Sequence, residues 1–254
     1  MKAVLITGAG TRIGRHLAFS LAEKGWAVAI HYNRSEKNAE TLVNQIKDNG
    51  GKAVAVDANL NLPNEVNALI SKAANSLGMP LIALINNAST FKPDSLKTFR
   101  APLFDHHIDI NLKAPLALSR DFAKQMPKNE KGCIINMLDQ RVLKPNPLFF
   151  TYSLSKAALY WTTKTMAQAL APNVRVNGIG PGPTLQNTTQ TKADFIAEER
   201  ATLLGHGSSQ EAIFEAVLYL LEANSVTGQM LAIDSGQHLN WKTEDLMIGD
   251  IDGT

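Results

Sequence analysis

Tyr152 and Lys156 stand four residues apart in the run Tyr152-Ser153-Leu154-Ser155-Lys156, and residues at that spacing on a helix lie one above the other. A phenol and an ammonium would then share one face. A free phenol titrates near pH ~10 and a neighbouring cation favours its anion, so the pair predicts a tyrosine able to pass a proton at neutral pH. A lone pair of this kind is equally an ordinary solvated face, and the surroundings must decide. Asp139, thirteen positions earlier, adds a carboxylate to the same stretch. It either joins the proton chemistry or caps the loop before Gln140-Arg141, paired with Arg141.

A second stretch with chemical meaning is Thr7-Gly8-Ala9-Gly10-Thr11-Arg12-Ile13-Gly14. It follows an apolar strand-like run and opens a helical pattern, the context that a dinucleotide-binding turn requires. Glycines let the backbone approach a pyrophosphate, and a helix N-terminus offers amides to the anion. Gly8, Arg12, Ile13 and Gly14 are therefore candidate cofactor contacts. The end of the next strand separates NAD from NADP, because an acidic side chain there would accept from a ribose 2'-hydroxyl. Here it reads His31-Tyr32-Asn33-Arg34-Ser35, with no carboxylate before Glu36. An arginine fork and a serine hydroxyl at Arg34 and Ser35 suit a 2'-phosphate, so NADPH is the predicted cofactor, with Arg12 adding charge nearby. Arg34 could also be a solvated loop cation. Asp57 is placed to meet an adenine amino group or to cap the next segment.

These groups need elements to hold them. Ala3–Ile6, Ala27–Ile30, Ala53–Val56, Leu81–Ile85, Ile134–Met137, Val174–Ile179 and Met230–Ile233 are short apolar runs suited to strands covered on both faces. Helical spacing fills the intervals at 12–24, 36–49, 65–77, 103–126, 151–171 and 210–223, with Pro115 as a kink or an early-turn residue of the fourth. Strands alternating with helices predict a doubly wound α/β fold: one parallel sheet of about seven strands with helices on both faces, in a single domain over residues 1–254. The polar segment after Gly180 reads as irregular to about Ala193, and residues 183–208 as a substrate lid. The tail at about 242–254 is polar and carries no signal.

The chain has 254 residues, 44% apolar, enough for a full-sized core, and 25 basic against 23 acidic residues without a basic block. Nucleic acid and anionic membrane are therefore not expected partners. No apolar window reaches the ~20 residues of a membrane span, and no cleavable leader precedes the first strand. The single cysteine, Cys133, lies in an apolar run where packing is its expected role, which fits a reducing cytoplasm. No metal is expected in the site.

Taken together, Tyr152 and Lys156, the turn at 7–14, Asn86-Asn87-Ala88 after the fourth strand, Asn111 in Ile110-Asn111-Leu112, and Pro181-Gly182 after the sixth resemble the short-chain dehydrogenase/reductase family. The resemblance covers essentially the whole core and implies a Rossmann-type fold. It implies that Tyr152 is the general acid/base, that Lys156 holds the nicotinamide ribose and lowers the phenol's pKa, and that Asn111 anchors a proton-relay water. Asn86, Ala88, Pro181 and Gly182 would support the cofactor. Two departures sharpen the match. Arg12 replaces the usual second glycine of the turn, and Asp139 replaces the usual catalytic serine. Both are similar to the pteridine reductases, as are His31-Tyr32-Asn33-Arg34-Ser35, Asn86-Asn87-Ala88-Ser89-Thr90-Phe91 and Asn136-Met137-Leu138-Asp139. That branch implies a flat pterin sandwiched between Phe91 and the nicotinamide, with Ser89 and Arg12 near its polar edge and Asp139 with Tyr152 managing ring-nitrogen protons. A carboxylate only accepts, and would repel the alkoxide that a serine hydroxyl stabilises, so the swap disfavours carbonyl reduction. Other readings are a reductase of another ketone or imine, and an NADPH-binding regulatory protein without catalysis. Asp234-Ser235-Gly236 resembles a terminal turn near a subunit contact, and a homotetramer is implied by the resemblance alone.

Overall fold

Strand β1 (Ala3–Ile6) is buried along its length and pairs in parallel with β2 (Ala27–Tyr32) on one side and β4 (Ala83–Asn86) on the other. With β3 (Lys52–Asp57), β5 (Gly132–Met137), β6 (Val174–Pro181) and β7 (Met230–Ile233), the computed structural model forms one seven-stranded parallel sheet in the order β3-β2-β1-β4-β5-β6-β7. It describes residues 1–187 and 190–241. The sheet and its single-domain alternation are those predicted. The order reverses at the β1/β4 boundary, where the carboxyl ends of two neighbouring strands diverge and a crevice opens.

Alternate strand residues feed two cores, as a strand buried on both faces requires. Val4, Ile6, Val28 and Ile30 pack against α1 (Arg12–Glu23), α2 (Glu36–Asp48) and α8 (Gln210–Glu222). Leu5, Ala29, Leu84 and Ile134 pack against α3 (Pro63–Leu77), α5 (Ala114–Gln125) and α6 (Phe150–Leu170). Phe122 is fully buried between α5 and the sheet, and truncating such a residue to alanine costs about 3–5 kcal/mol.

Two segments differ from the sequence reading. The helix predicted over 103–126 is three pieces: α4 (Ala101–Ile108), a π-helical turn at Asp109–Lys113, and α5. Pro115 is the cause. It has no N–H to return to the Asn111 carbonyl four residues earlier, so the ladder resets there, with Pro115 in the first turn of α5. The second difference follows β6, which runs on to Pro181. The span read as irregular to about 193 meets α7 (Lys192–Arg200), which starts one residue before that boundary behind a Thr191/Asp194 capping box. Helix α7 buries no residue, so it had no apolar stripe to betray it. Thr188, Thr189 and the tail at 242–254 lie outside the described residues.

Candidate active site

A cleft of about 430 Å³ opens at the carboxyl ends of the strands where the sheet order reverses. Gly8, Arg12, Ile13, Gly14 and Ala88 line one side; Met137, Asp139, Arg141, Tyr152, Lys156, Pro181 and Gly182 line another. The first wall is mostly backbone. Gly8 holds φ +63°, and a Cβ there would stand 3.0 Å from the Ala88 Cα; one on Gly14 would stand 2.5 Å from both Asn87 Nδ2 and the Gly8 carbonyl. Only glycine fits at either place. Behind the turn His31 accepts the Gly8 N–H on Nδ1 at 3.0 Å, so its Nε2 carries the proton donated to the Ala58 carbonyl, also at 3.0 Å. Burial depresses the imidazole to about pKa 4, which keeps it neutral in this role. Thr7 completes the frame: its Oγ1 accepts the Asn87 and Ala88 N–H groups, both at 2.9 Å. No side chain caps the first turn of α1 and no acidic residue lies in it. A narrow glycine cradle at an uncapped helix N-terminus fits a dinucleotide pyrophosphate.

The second wall carries the ionisable side chains. Tyr152 and Lys156 sit one turn apart on α6 and are both buried. The Tyr152 hydroxyl donates to Asp139 Oδ2 at 2.7 Å. Asp139 also does what a loop cap does: its Oδ1 accepts the Arg141 N–H at 2.8 Å, and Arg141 Nη1 lies 3.3 Å from Oδ2. The structure therefore shows the cap and the Arg141 pair, and in the same carboxylate a contact with the Tyr152 hydroxyl. The Lys156 ammonium donates to the Met137 carbonyl at 2.7 Å and stands 5.8 Å from the Tyr152 ring centroid. Burial, opposed by the Asp139 charge, brings it down to about pKa 8. Here the expectation of an acidified phenol needs correction. Burial first, and the Asp139 carboxylate second, push Tyr152 well above the ordinary tyrosine value, with Arg141 and Ser89 only opposing them. Lys156 is aimed at a carbonyl and Asp139 touches the hydroxyl, so the nearer charge wins. The centre is a proton-loaded phenol against a carboxylate.

The remaining predicted residues divide. Ser89 and Phe91 line the cleft; Phe91 stacks on Phe149 at 4.3 Å and meets the Tyr152 ring edge-on at 4.7 Å. Arg12, at φ +54°, reaches across the opening and donates to the Leu185 and Gln186 carbonyls at 3.1 and 2.9 Å. Asn111 is fully buried and its amide is occupied, accepting from Thr90 N–H and Ser89 and donating to Thr90 and Ser155. It ties the loop after β4 to α6 and lies behind the cleft wall. Asn86 turns into the core, donating to Asn136 Oδ1 at 2.8 Å; its neighbour Asn87 is the one that faces the cleft and the turn, donating to the Thr7 and Gly8 carbonyls. Alternation along β4 explains this, since adjacent side chains point opposite ways. Ser35 packs against Gly10, where a Cβ would meet its Oγ at 2.5 Å, while Arg34 is exposed. Asp57 is exposed and paired with Lys72 at 2.6 Å.

Sequence reasoning passed over Thr7, His31, Asn87 and Glu198 as working residues, and named Arg141 only as a partner for Asp139. His31, a histidine ending an otherwise apolar strand, was a legible signal. Glu198 was not: it lines the cleft from α7 and accepts from both Gln190 and Gln237, a convergence that no local pattern announces.

A doubly wound parallel sheet, a glycine turn at its switch point and a tyrosine proton centre facing that turn define a dinucleotide-fold protein built for acid/base chemistry. The chain belongs to the short chain dehydrogenase family, whose model matches residues 2–197. It is 42% identical to the FolM alternative dihydrofolate reductase 1 of Brucella canis, whose crystal structure is a complex with NADP; the TM-score is 0.93, over 96% of this chain and 97% of that one. An angucycline C-6 ketoreductase, LanV, solved with bound NADP, is 27% identical at a TM-score of 0.87, over 94% of this chain and 96% of that one. The 3-oxoacyl-[acyl-carrier-protein] reductase FabG of Staphylococcus aureus is 31% identical over 243 residues, 94% of this chain and 98% of that protein.

Proposed function

We propose that this protein is an NADPH-dependent reductase of pterin-type substrates, a dihydropterin, biopterin or dihydrofolate-like ring. The observation that carries the reading is the Tyr152 hydroxyl bonded to a carboxylate, Asp139, beside the aromatic face of Phe91. The similarity to a FolM reductase supports it. The turn at Gly8, Arg12, Ile13 and Gly14 would hold the pyrophosphate, with Ala88, Asn87, Pro181 and Gly182 against the rest of the cofactor, Lys156 toward its ribose and Arg34 and Ser35 toward a 2'-phosphate. When bound, the reduced nicotinamide supplies a hydride to a ring carbon. Tyr152 then gives its proton to the adjacent ring nitrogen, so a C=N bond becomes CH–NH. Asp139 accepts from a ring N–H, Ser89 and Arg12 meet the polar edge, and Phe91 gives the flat ring a stacking surface. Asn111 acts from behind, fixing Ser89 and Thr90.

A ketone reductase is the second reading, favoured by the likeness to FabG and LanV. The carboxylate argues against it, because a developing alkoxide needs a donor where Asp139 only accepts. Oxidation of NADPH and NADH should be followed against dihydropterins, dihydrofolate and a panel of ketones, with Asp139→Ser alongside. NADPH turnover with pterins, lost in Asp139→Ser, supports the first reading; turnover confined to ketones replaces it with the second. NADPH binding without turnover on any compound would leave a regulatory role. We also assign a homotetramer and a cytoplasmic setting. Leu154 and Trp161, two turns apart on α6, are exposed at 46% and 67%, and among the described residues β7 is an edge strand of the sheet. Among the described residues no helix is long and apolar enough to cross a membrane.

A further inference from the structure

Behind the cleft a second polar group joins three elements and takes no part in the chemistry above. Asp94, in the loop after β4, is 8% exposed; Thr151, in the first turn of α6, is 1%; His107, on α4, is 0%. The Asp94 carboxylate accepts the Thr151 N–H at 3.0 Å and also the Thr151 hydroxyl, while its backbone carbonyl accepts the Phe149 N–H at 2.8 Å. Asp94 therefore caps the helix that carries Tyr152, although it lies 57 residues before Thr151 in the chain. His107 Nδ1 is 2.7 Å from the Thr151 hydroxyl, and its Nε2 accepts the Lys92 N–H. The directions are thereby fixed: Nε2 is bare, Nδ1–H donates to Thr151, and Thr151 donates to Asp94.

What this chain of bonds holds is the reacting geometry. The His107 ring lies against the Tyr152 ring, with centroids 6.1 Å apart. Phe149, pinned by the Asp94 carbonyl, sits at φ +73°, a backbone conformation that a bulky residue adopts only under constraint. Its ring stacks on Phe91 at 4.3 Å and 13°. Phe91 lines the cleft and Phe149 does not, so Phe149 is the backing of the platform.

We infer that Asp94, with Thr151 and His107, is the positioning unit of the site, setting both the Tyr152 phenol and the Phe91 platform through Phe149. The inference rests on the reductase reading above. Its signature is joint. Tyr152→Phe should lower kcat with little change in KM, and Phe149→Leu should raise KM with little change in kcat. Asp94→Asn should do both, because the Thr151 N–H and hydroxyl reach different carboxylate oxygens and asparagine puts an NH2 donor in place of one of them; turning the hydroxyl toward His107 in response sets Nε2–H against the Lys92 N–H.

Steady-state kinetics on a dihydropterin, with NADPH affinity from fluorescence titration, test it. The expected result for Asp94→Asn is at least a tenfold fall in kcat and at least a threefold rise in KM, with NADPH affinity within twofold. If Asp94→Asn fails to fold, Thr151→Val carries the same expectation and Thr151→Ser should restore both constants to within threefold. A change in one constant only, a loss that follows NADPH affinity, or no rescue by serine would overturn the inference. Should the wild type turn over no pterin, the functional reading fails first; the same variants are then scored on whichever ketone or imine it reduces.

Discussion

On the β1 side of the cleft the groups offered to a ligand are backbone amides held by glycines, a threonine and a neutral imidazole; on the β5 and α6 side they are a phenol and an arginine bonded to one acid, with the Lys156 ammonium bonded to the Met137 carbonyl beside them. The first wall is preorganised by conformation, and its misfit cost is steric. The second is preorganised by charge, and its misfit cost falls on proton transfer. Substitutions should separate the walls: changes at Tyr152 and Asp139 should leave dinucleotide affinity intact, changes on the glycine side should remove affinity before they touch chemistry, and Lys156, assigned to the cofactor ribose, belongs to both.

Tyr152→Phe is the sharpest test of that division. Removing a positioned general acid lowers turnover about 10²–10⁴-fold, and the buried Asp139 carboxylate loses its 2.7 Å donor without moving the glycine turn. Single-turnover reduction should fall by that factor while NADPH affinity stays within about threefold; a parallel loss of affinity would show that the walls are not separable. Gly14→Ala is the reciprocal change. Its Cβ would stand 2.5 Å from the Gly8 carbonyl and from Asn87 Nδ2, and overpacking of this kind costs about 1–3 kcal/mol. NADPH affinity should fall at least tenfold, whereas the folded protein's far-UV spectrum stays that of the wild type. Unchanged affinity would mean that the turn does not hold the cofactor.

How much of each wall could be read in advance follows from the same contrast. A glycine turn between an apolar strand and a helix is a local pattern, so the sheet, the turn and the crevice were legible. The Tyr152 and Lys156 spacing was legible too, but its electrostatic consequence was not. Which charge reaches the phenol depends on where β5 ends, and that end puts Asp139 at the hydroxyl and the Met137 carbonyl at the ammonium. Asn86 and Asn87 were confused because the strand's last residue sets the alternation. Helix α7 and Glu198 left no trace, since a helix that buries nothing has no periodicity to read.

His31 extends the comparison to pH. Its imidazole is held at about pKa 4 against an ordinary 6.5 by burial. A depressed histidine leaves the folded state at full stability above about pH 6.5; as pH falls toward 4 the unfolded chain takes up the proton first, and stability is lost across that window. The shift corresponds to at most about 3 kcal/mol. Urea unfolding between pH 7 and pH 4 should show this loss, and His31→Asn should flatten the part of the curve that belongs to this group. An unaltered slope in the variant would mean that other groups carry the acid sensitivity.

Arg12 bridges the two walls, and its replacement should give the smallest effect of the series. Its φ of +54° is a left-handed conformation that costs a side-chain-bearing residue about 1–2 kcal/mol. Its guanidinium holds the Leu185 and Gln186 carbonyls. Arg12→Gly relieves the backbone but loosens the unfolded chain by about 0.4–1 kcal/mol and forfeits two exposed charge-assisted bonds, so the melting temperature should move by only a few degrees. Proteolysis between Pro183 and Thr191 should quicken, and KM for the proposed pterin substrate should rise severalfold with kcat nearly constant. Arg12→Lys keeps the charge and the strain but not the two-pronged donor, so it should share the KM rise without the backbone relief. If lysine instead behaves as arginine, what matters at this position is charge alone, and the segment from Pro183 onward is held by the Gln190, Glu198 and Gln237 contacts at its other end.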